Sequence, residues 1–188
     1  MELFKFMQTT DKILVIDLEA TCWENRPEYQ RQHSEIIEIG VALLDVRTGT
    51  ISKNLGILVE PYKSEISPFC TQLTTITPEM VTKEGVSLED AYELLLDEYE
   101  SHELTWASYG AYDKGMIERQ SKKWSLHNPL TNKHINVKAE FAKTKKSKPM
   151  GMDRALKSIG IQLEGTHHRG VDDARNIAKI LRWILNNN

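Results

Sequence analysis

Apolar positions recur with two different periods, one early in the chain and one late. "KILVIDLEA" (12–20) and "IIEIGVALLDV" (36–46) are strand-length runs rich in Ile, Leu and Val, and they predict two β-strands. Thr48-Gly49 turns the chain into "ISKNLGILVEP" (51–61), which makes an antiparallel meander of three strands. Helical periodicity begins later. Pro78 after Thr77 suits the first turn of a short helix, and "SLEDAYELLLDEYES" (87–101) predicts a longer one opened by Ser87, with Asp90 three residues on. A short strand, "LTWASYG" (104–110), then leads into the helix "AYDKGMIERQSKKW" (111–124). A short helix at "GMDRALKSIG" (151–160), closed by Gly160, precedes a long amphipathic C-terminal helix. Strands first and helices later, with one strand-helix alternation, predict an α/β fold around a mixed central sheet flanked by helices. No repeat, low-complexity run or linker divides the chain, so a single domain over 1–188 is expected, with its core at about 11–185.

The same periods place the carboxylates. Side chains alternate along a strand, so Val15, Asp17 and Glu19 share one face while Leu14, Ile16 and Leu18 share the other. Two acids roughly 6.6 Å apart by strand rise thus project from an apolar segment. Such charges are costly unless a divalent cation or another partner compensates them. In the last helix, steps of +4, +7 and +11 from Asp173 reach Ile177, Ile180 and Ile184, which puts Asp173 at the head of the buried stripe. Steps of +3, +4 and +7 from Asp172 reach Arg175, Asn176 and Lys179, the polar face, where Asp172 serves as a cap or pairs with the helix dipole. Asp113 shares a face with Met116 and Ile117 at the start of its own helix. Taken singly, each acid is ordinary capping chemistry. Asp17, Glu19, Asp113 and Asp173 together are an inward-facing set at the ends of three elements.

Charge strengthens this reading. The net charge is −3, but residues 1–100 sum to −11 and residues 101–188 to +8. Much of the positive charge lies in "KKWSLHNPLTNKHINVKAEFAKTKKSKP" (122–149), a pattern suited to a polyanionic ligand. Cys22 and Cys70 lack the spacing of a zinc or redox site and read as idle thiols. No run of apolar residues is long enough to span a bilayer, and the first residues lack a signal peptide's zones. A soluble, cytoplasmic protein with no membrane partner is therefore expected.

The ordered set of D-x-E in a first strand, Asp opening a mid-chain helix and His-x4-Asp opening the last helix resembles the DEDDh exonucleases of the DnaQ-like superfamily. "DLEATCW", "EIIEIGVALLD", "FCTQLTTIT", the Asp in "AYDKGM" and "HHRGVDDARNIAKIL" are most similar to the ERI-like 3′-to-5′ exoribonuclease branch. The resemblance runs from about residue 13 to 185. It implies a ribonuclease-H-like fold, with two Mg²⁺ or Mn²⁺ ions held by Asp17, Glu19, Asp113 and Asp173. It also implies hydrolysis from the 3′ end with release of nucleoside 5′-monophosphates, by a two-metal mechanism.

For the general base, spacing alone leaves two pairings open, since His167-to-Asp172 and His168-to-Asp173 are equally long. The family pattern selects His168, with His167 as a bystander. The resemblance further implies that Ala20 and Thr21 meet the terminal nucleotide, that Leu73 and Ile76 wall its base, and that Tyr112 stacks on a base or sugar. Single-stranded RNA or short 3′ overhangs are the implied substrates. A DNA-directed exonuclease and a non-catalytic nucleic-acid-binding protein are the alternatives.

Overall fold

The structure is a computed structural model that describes residues 11–187; residues 1–10 and 188, included in the expected domain bounds, lie outside the described residues. In chain order the elements are β1 (Lys12–Ala20), α1 (Pro27–His33), β2 (Ile36–Asp45), β3 (Ile51–Leu58), α2 (Pro68–Thr74), α3 (Pro78–Glu84), α4 (Leu88–Tyr99), β4 (Thr105–Ser108), α5 (Tyr112–Trp124), β5 (His134–Asn136), α6 (Val137–Lys145), α7 (Met152–Ser158) and α8 (Gly170–Asn186). The sheet order is β3-β2-β1-β4-β5. The meander β1-β2-β3 is antiparallel, and β4 and β5 add to it in parallel. The fold is therefore the expected α/β one, a mixed five-stranded sheet flanked by helices.

β1 is central and buried on both faces. Leu14, Ile16 and Leu18 pack with Leu88 and Leu95 of α4 and with Met116 and Ile117 of α5. Ile13 and Val15 face the opposite layer, where they meet Phe141 of α6, Leu156 of α7, and Ile177, Ile180 and Ile184 of α8. The strand alternation read from the sequence therefore separates two cores, and Asp17 and Glu19 lie on the α8 side. The helix starts read as caps also form: Ser87 Oγ accepts from Asp90 N at 3.0 Å, and Thr77 Oγ1 accepts from Met80 N at 3.2 Å.

Four elements have no counterpart in the sequence reading. α1 buries none of its residues, so no apolar period marks it. α2 and β5 are short. In α6 only Val137, Phe141 and Ala142 are buried, and the surrounding lysines obscure that stripe. The polar face assigned to α8 also needs correction. Asn176 is fully buried and Lys179 nearly so, because the preceding loop crosses them. The Asn176 amide bonds both Glu164 N (3.1 Å) and Glu164 O (2.9 Å), and Lys179 Nζ lies 2.8 Å from the Glu164 carboxylate.

One contact sets where α8 begins. Gly40 of β2 is the register partner of Asp17, and a Cβ on Gly40 would lie 1.8 Å from the Gly170 carbonyl oxygen. Only glycine allows helix and strand backbones to approach this closely. The first turn of α8 is thereby delivered beside Asp17. No helix among the described residues is long and apolar enough to cross a membrane.

Candidate active site

Asp17 and Glu19 of β1 and Asp173 of α8 offer carboxylate oxygens that all lie within 4.8 Å of one another. Asp113 arrives from α5 and reaches the same strand. β4 pairs with β1 only over Ile13–Val15, so β1 runs on beyond it, and the Leu18 N–H donates to Asp113 Oδ1 at 3.1 Å. All four acids line one cavity of about 380 Å³, together with Ala20, Leu73, Tyr112 and both histidines.

Crowding acids in a buried cleft raises their pKa values, because the charged forms lose water and repel one another. Burial pushes Asp17 well up, and Asp113, Asp173 and Glu19 add to it. Glu19 is pushed up to about 9, first by burial and then by Asp173 and Glu38. Asp113 and Asp173 are also raised by burial, although hydrogen bonds from Leu18 N and His168 N oppose the shift. Asp173 Oδ1 is buried with no hydrogen-bond partner. Clustered carboxylate oxygens, one of them orphaned, are a donor set that a hard divalent cation satisfies. Cys22 also lines the cleft, but hard divalent cations take carboxylate oxygens in preference to a thiol sulfur.

Both histidines address Asp173, by different atoms. The His168 backbone N–H donates to Asp173 Oδ2 at 2.9 Å, which its left-handed backbone (φ 66°) permits. His167 Nδ1 lies 2.9 Å from the same oxygen, and the two rings stack with centroids 4.0 Å apart. His167, read as a bystander, contacts the inward carboxylate with its ring. Burial, followed by proximity to His167, lowers the His168 pKa.

Asp172 is not the helix cap. Arg169 holds the N-cap position, without a side-chain cap bond. Asp172 lies within the first turn, accepting from Thr166 N at 2.8 Å and pairing with Arg175.

Of the residues expected near a terminal nucleotide, Ala20, Leu73 and Tyr112 line the cleft, and Leu73 and Tyr112 are exposed. Thr21 and Ile76 do not. The ladder shifts register between Glu19 and Ala20, and Thr21 is fully buried, its Oγ1 accepting from Glu35 N at 2.9 Å. Ile76 is also fully buried and packs with Cys22, Ile37, Cys70 and Val81.

The sequence reading missed the support behind the acids. Glu38 of β2, opposite Glu19, is fully buried. It accepts from Arg169 Nε (3.2 Å) and Nη2 (3.1 Å), and from Gly170 N at 2.7 Å. This bidentate pair clamps the start of α8 to the sheet. A glutamate two residues before a glycine inside an otherwise apolar strand was the available signal.

The chain is 30% identical to human ERI1 exoribonuclease 2 over 96% of its own length and 29% of that protein's. It is 32% identical to human 3'-5' exoribonuclease 1, over 93% of the chain and 52% of that protein. The chain thus spans about a third to a half of the length of these relatives. The structure superposes on the nuclease domain of 3'hExo, a DEDDh family member bound to rAMP, with a TM-score of 0.87 and 28% identity, covering 96% of this chain and 94% of that one. A family model for exonucleases, RNase_T, matches residues 14–181, from the strand that carries Asp17 to the helix that carries Asp173; the chain belongs to the RNase_T exonuclease family.

Proposed function

We propose that this chain is a metal-dependent 3′-to-5′ exonuclease. It hydrolyses single-stranded RNA or short 3′ overhangs from the 3′ end and releases nucleoside 5′-monophosphates. The observation that carries the reading is the Asp17–Glu19–Asp173 cluster, whose oxygens converge within 4.8 Å and include the orphaned Asp173 Oδ1. RNA is favoured over DNA because the relatives at 30–32% identity are named exoribonucleases.

Asp17, Glu19, Asp113 and Asp173 would hold two divalent cations, Mg²⁺ or Mn²⁺, which would supply phosphate neutralisation and a more acidic water. Asp173 receives the His168 N–H, which keeps its carboxylate oriented from the loop side. His168, with its pKa lowered, is mainly neutral near pH 7 and takes the water's proton on a ring nitrogen. Leu73 and Tyr112 give the terminal nucleotide an apolar wall and a ring face. A second assignment of the base has one observation in its favour: His167, not His168, brings a ring nitrogen to Asp173.

Digestion of matched RNA and DNA oligonucleotides, each labelled at the 3′ or the 5′ end, tests the proposal. The 3′ label should appear at once in a mononucleotide, while the 5′-labelled strand shortens stepwise. Mg²⁺ or Mn²⁺ should support turnover and Ca²⁺ should not support it comparably. Hydrolysis undiminished in excess chelator would overturn the metal assignment. Release of internal fragments would overturn the exonuclease reading, and faster DNA digestion the RNA preference.

A further inference from the structure

α1 carries aromatic rings out to the surface beside the cleft. Tyr29 is 43% exposed and stacks on His33, with ring centroids 4.2 Å apart and planes 26° from parallel. Trp23 meets Tyr29 edge-on at 4.8 Å, and the Arg26 guanidinium lies 5.9 Å from the Tyr29 centroid. The next residue, Gln30, lines the cleft. A tyrosine held by two neighbouring rings is ordered in advance, and much of its surface remains open to solvent.

A second aromatic group begins where α1 ends. The Ser64 hydroxyl donates to the His33 carbonyl. Two residues earlier, Tyr62 is 46% exposed and lies 4.6 Å from Trp124. The ammonium groups of Lys123 and Lys63 lie 4.7 and 5.4 Å from the same tryptophan ring. This segment is fastened: the buried Glu35 carboxylate accepts from Lys63 N (2.9 Å) and Ser64 N (3.3 Å), and pairs with Lys123 Nζ at 3.1 Å.

Exposed rings interleaved with cations suit a nucleic-acid single strand, because every base has a π-face and every linkage a negative charge. We infer that Tyr29/His33 and Tyr62/Trp124 are two stacking platforms for bases upstream of the 3′-terminal nucleotide, with Lys63 beside the backbone. The inference rests on the exonuclease reading and extends it from the cleft to the surface. The lysines at 146 and 148, a few residues before the cleft-lining Gly151 in the sequence, offer a competing route, but they bring charge without rings.

The test uses RNA strands of two to ten nucleotides and the full chain carrying Tyr29→Leu, Tyr62→Leu, Lys63→Ala or Lys146→Ala/Lys148→Ala. Leucine keeps apolar packing on Trp23 or Trp124 and removes only the ring; Tyr29→Phe and Tyr62→Phe keep the ring. Tyr29→Leu should raise KM for the ten-nucleotide strand, relative to its KM for the dinucleotide, by about 5- to 150-fold, the range for losing one base stack. Tyr62→Leu should do the same only for longer strands, and both phenylalanine variants should behave as the parent protein. An abasic nucleotide at the stacked position should weaken the parent and leave Tyr29→Leu unchanged. Lys63→Ala should reduce the slope of log Kd against log salt by about 0.7, one phosphate contact on a single strand. Binding followed by fluorescence anisotropy separates the two readings: strands that bind through Tyr29 without being degraded would sink the exonuclease reading alone. Degradation with identical length dependence in both leucine variants would overturn the platforms. So would a length-dependent loss confined to Lys146→Ala/Lys148→Ala, which would put the strand along those lysines instead.

Discussion

Gly40 and Gly170 meet backbone to backbone, with no room for a side chain on either. A Cβ on Gly40 would fall 1.8 Å from the Gly170 carbonyl oxygen, and one on Gly170 would fall 2.9 Å from Gly40 N. Because Gly40 pairs with Asp17 and Gly170 lies three residues before Asp173, this contact sets the spacing of two proposed metal ligands. Gly40→Ala should cost about 1–3 kcal/mol or more of stability by overpacking. It should also lower turnover at temperatures where the variant stays folded. Normal turnover and Mg²⁺ affinity in a folded Gly40→Ala protein would show that the contact does not set the site.

The clamp behind it should be fragile in one direction. Arg169→Leu leaves the buried Glu38 carboxylate without its bidentate partner and should destabilise by about 3–5 kcal/mol. The double variant Glu38→Leu/Arg169→Leu should recover part of that loss. Chemical denaturation in chelator measures this without reference to activity. Equal stability of the single and double variants would exclude a coupled pair.

Buried acids make the metal-free protein sensitive to base. The Glu19 pKa is raised from 4.5 to about 9, so the folded state holds a proton that the unfolded chain releases. Its contribution to stability is complete below about 4.5 and is lost as pH rises through about 9. Asp17 and Asp173, also raised, act in the same sense. In chelator, the melting temperature should therefore fall between pH 5.5 and 8.5. Mg²⁺ should restore it, and Glu19→Gln should flatten the dependence. A metal-free melting temperature that rises across this interval would contradict the burial of these acids.

Removing single acids should separate neighbours in the sequence. Asp17→Ala, Glu19→Ala and Asp173→Ala should each abolish cleavage in a folded protein. Asp172→Ala should be milder, since Asp172 holds Thr166 N and Arg175 instead of facing the cleft. An inactive Asp172→Ala beside an active Asp173→Ala would move the assignment by one residue.

The paired histidines give the sharpest comparison. His168→Ala should lower kcat by roughly 10²- to 10⁴-fold, the range for losing a general base, with RNA binding retained. His167→Ala removes the ring contact to Asp173 and should show mainly as weaker metal affinity, read by calorimetry. A loss of kcat from His167→Ala alone would transfer the base to His167.

Much of this architecture was legible because it is local. Alternation in "VIDLEAT" put Asp17 and Glu19 on one face, and helical phase separated Asp173 from Asp172; both follow from backbone geometry that a strand or helix cannot evade. Ser87 and Thr77 announced their helices for the same reason. The misreadings are non-local. Thr21 and Ile76 sit inside motifs that face the cleft, yet a register shift after Glu19 and the packing of α2 on the sheet turn both inward. Asn176 and Lys179 follow the polar phase of α8 and are buried all the same, because a loop from earlier in the chain lies across them.

By itself, then, the sequence determined which residues share a face and which elements begin with an acid, since those relations span only a few residues. Only the tertiary structure decided how the faces meet. The closeness of Gly40 to Gly170, the Glu38–Arg169 clamp and the convergence of Asp113 on Leu18 N join residues 95 to 131 positions apart. No local period encodes such contacts, because each depends on backbones brought together by burial of two separate cores on the two faces of β1.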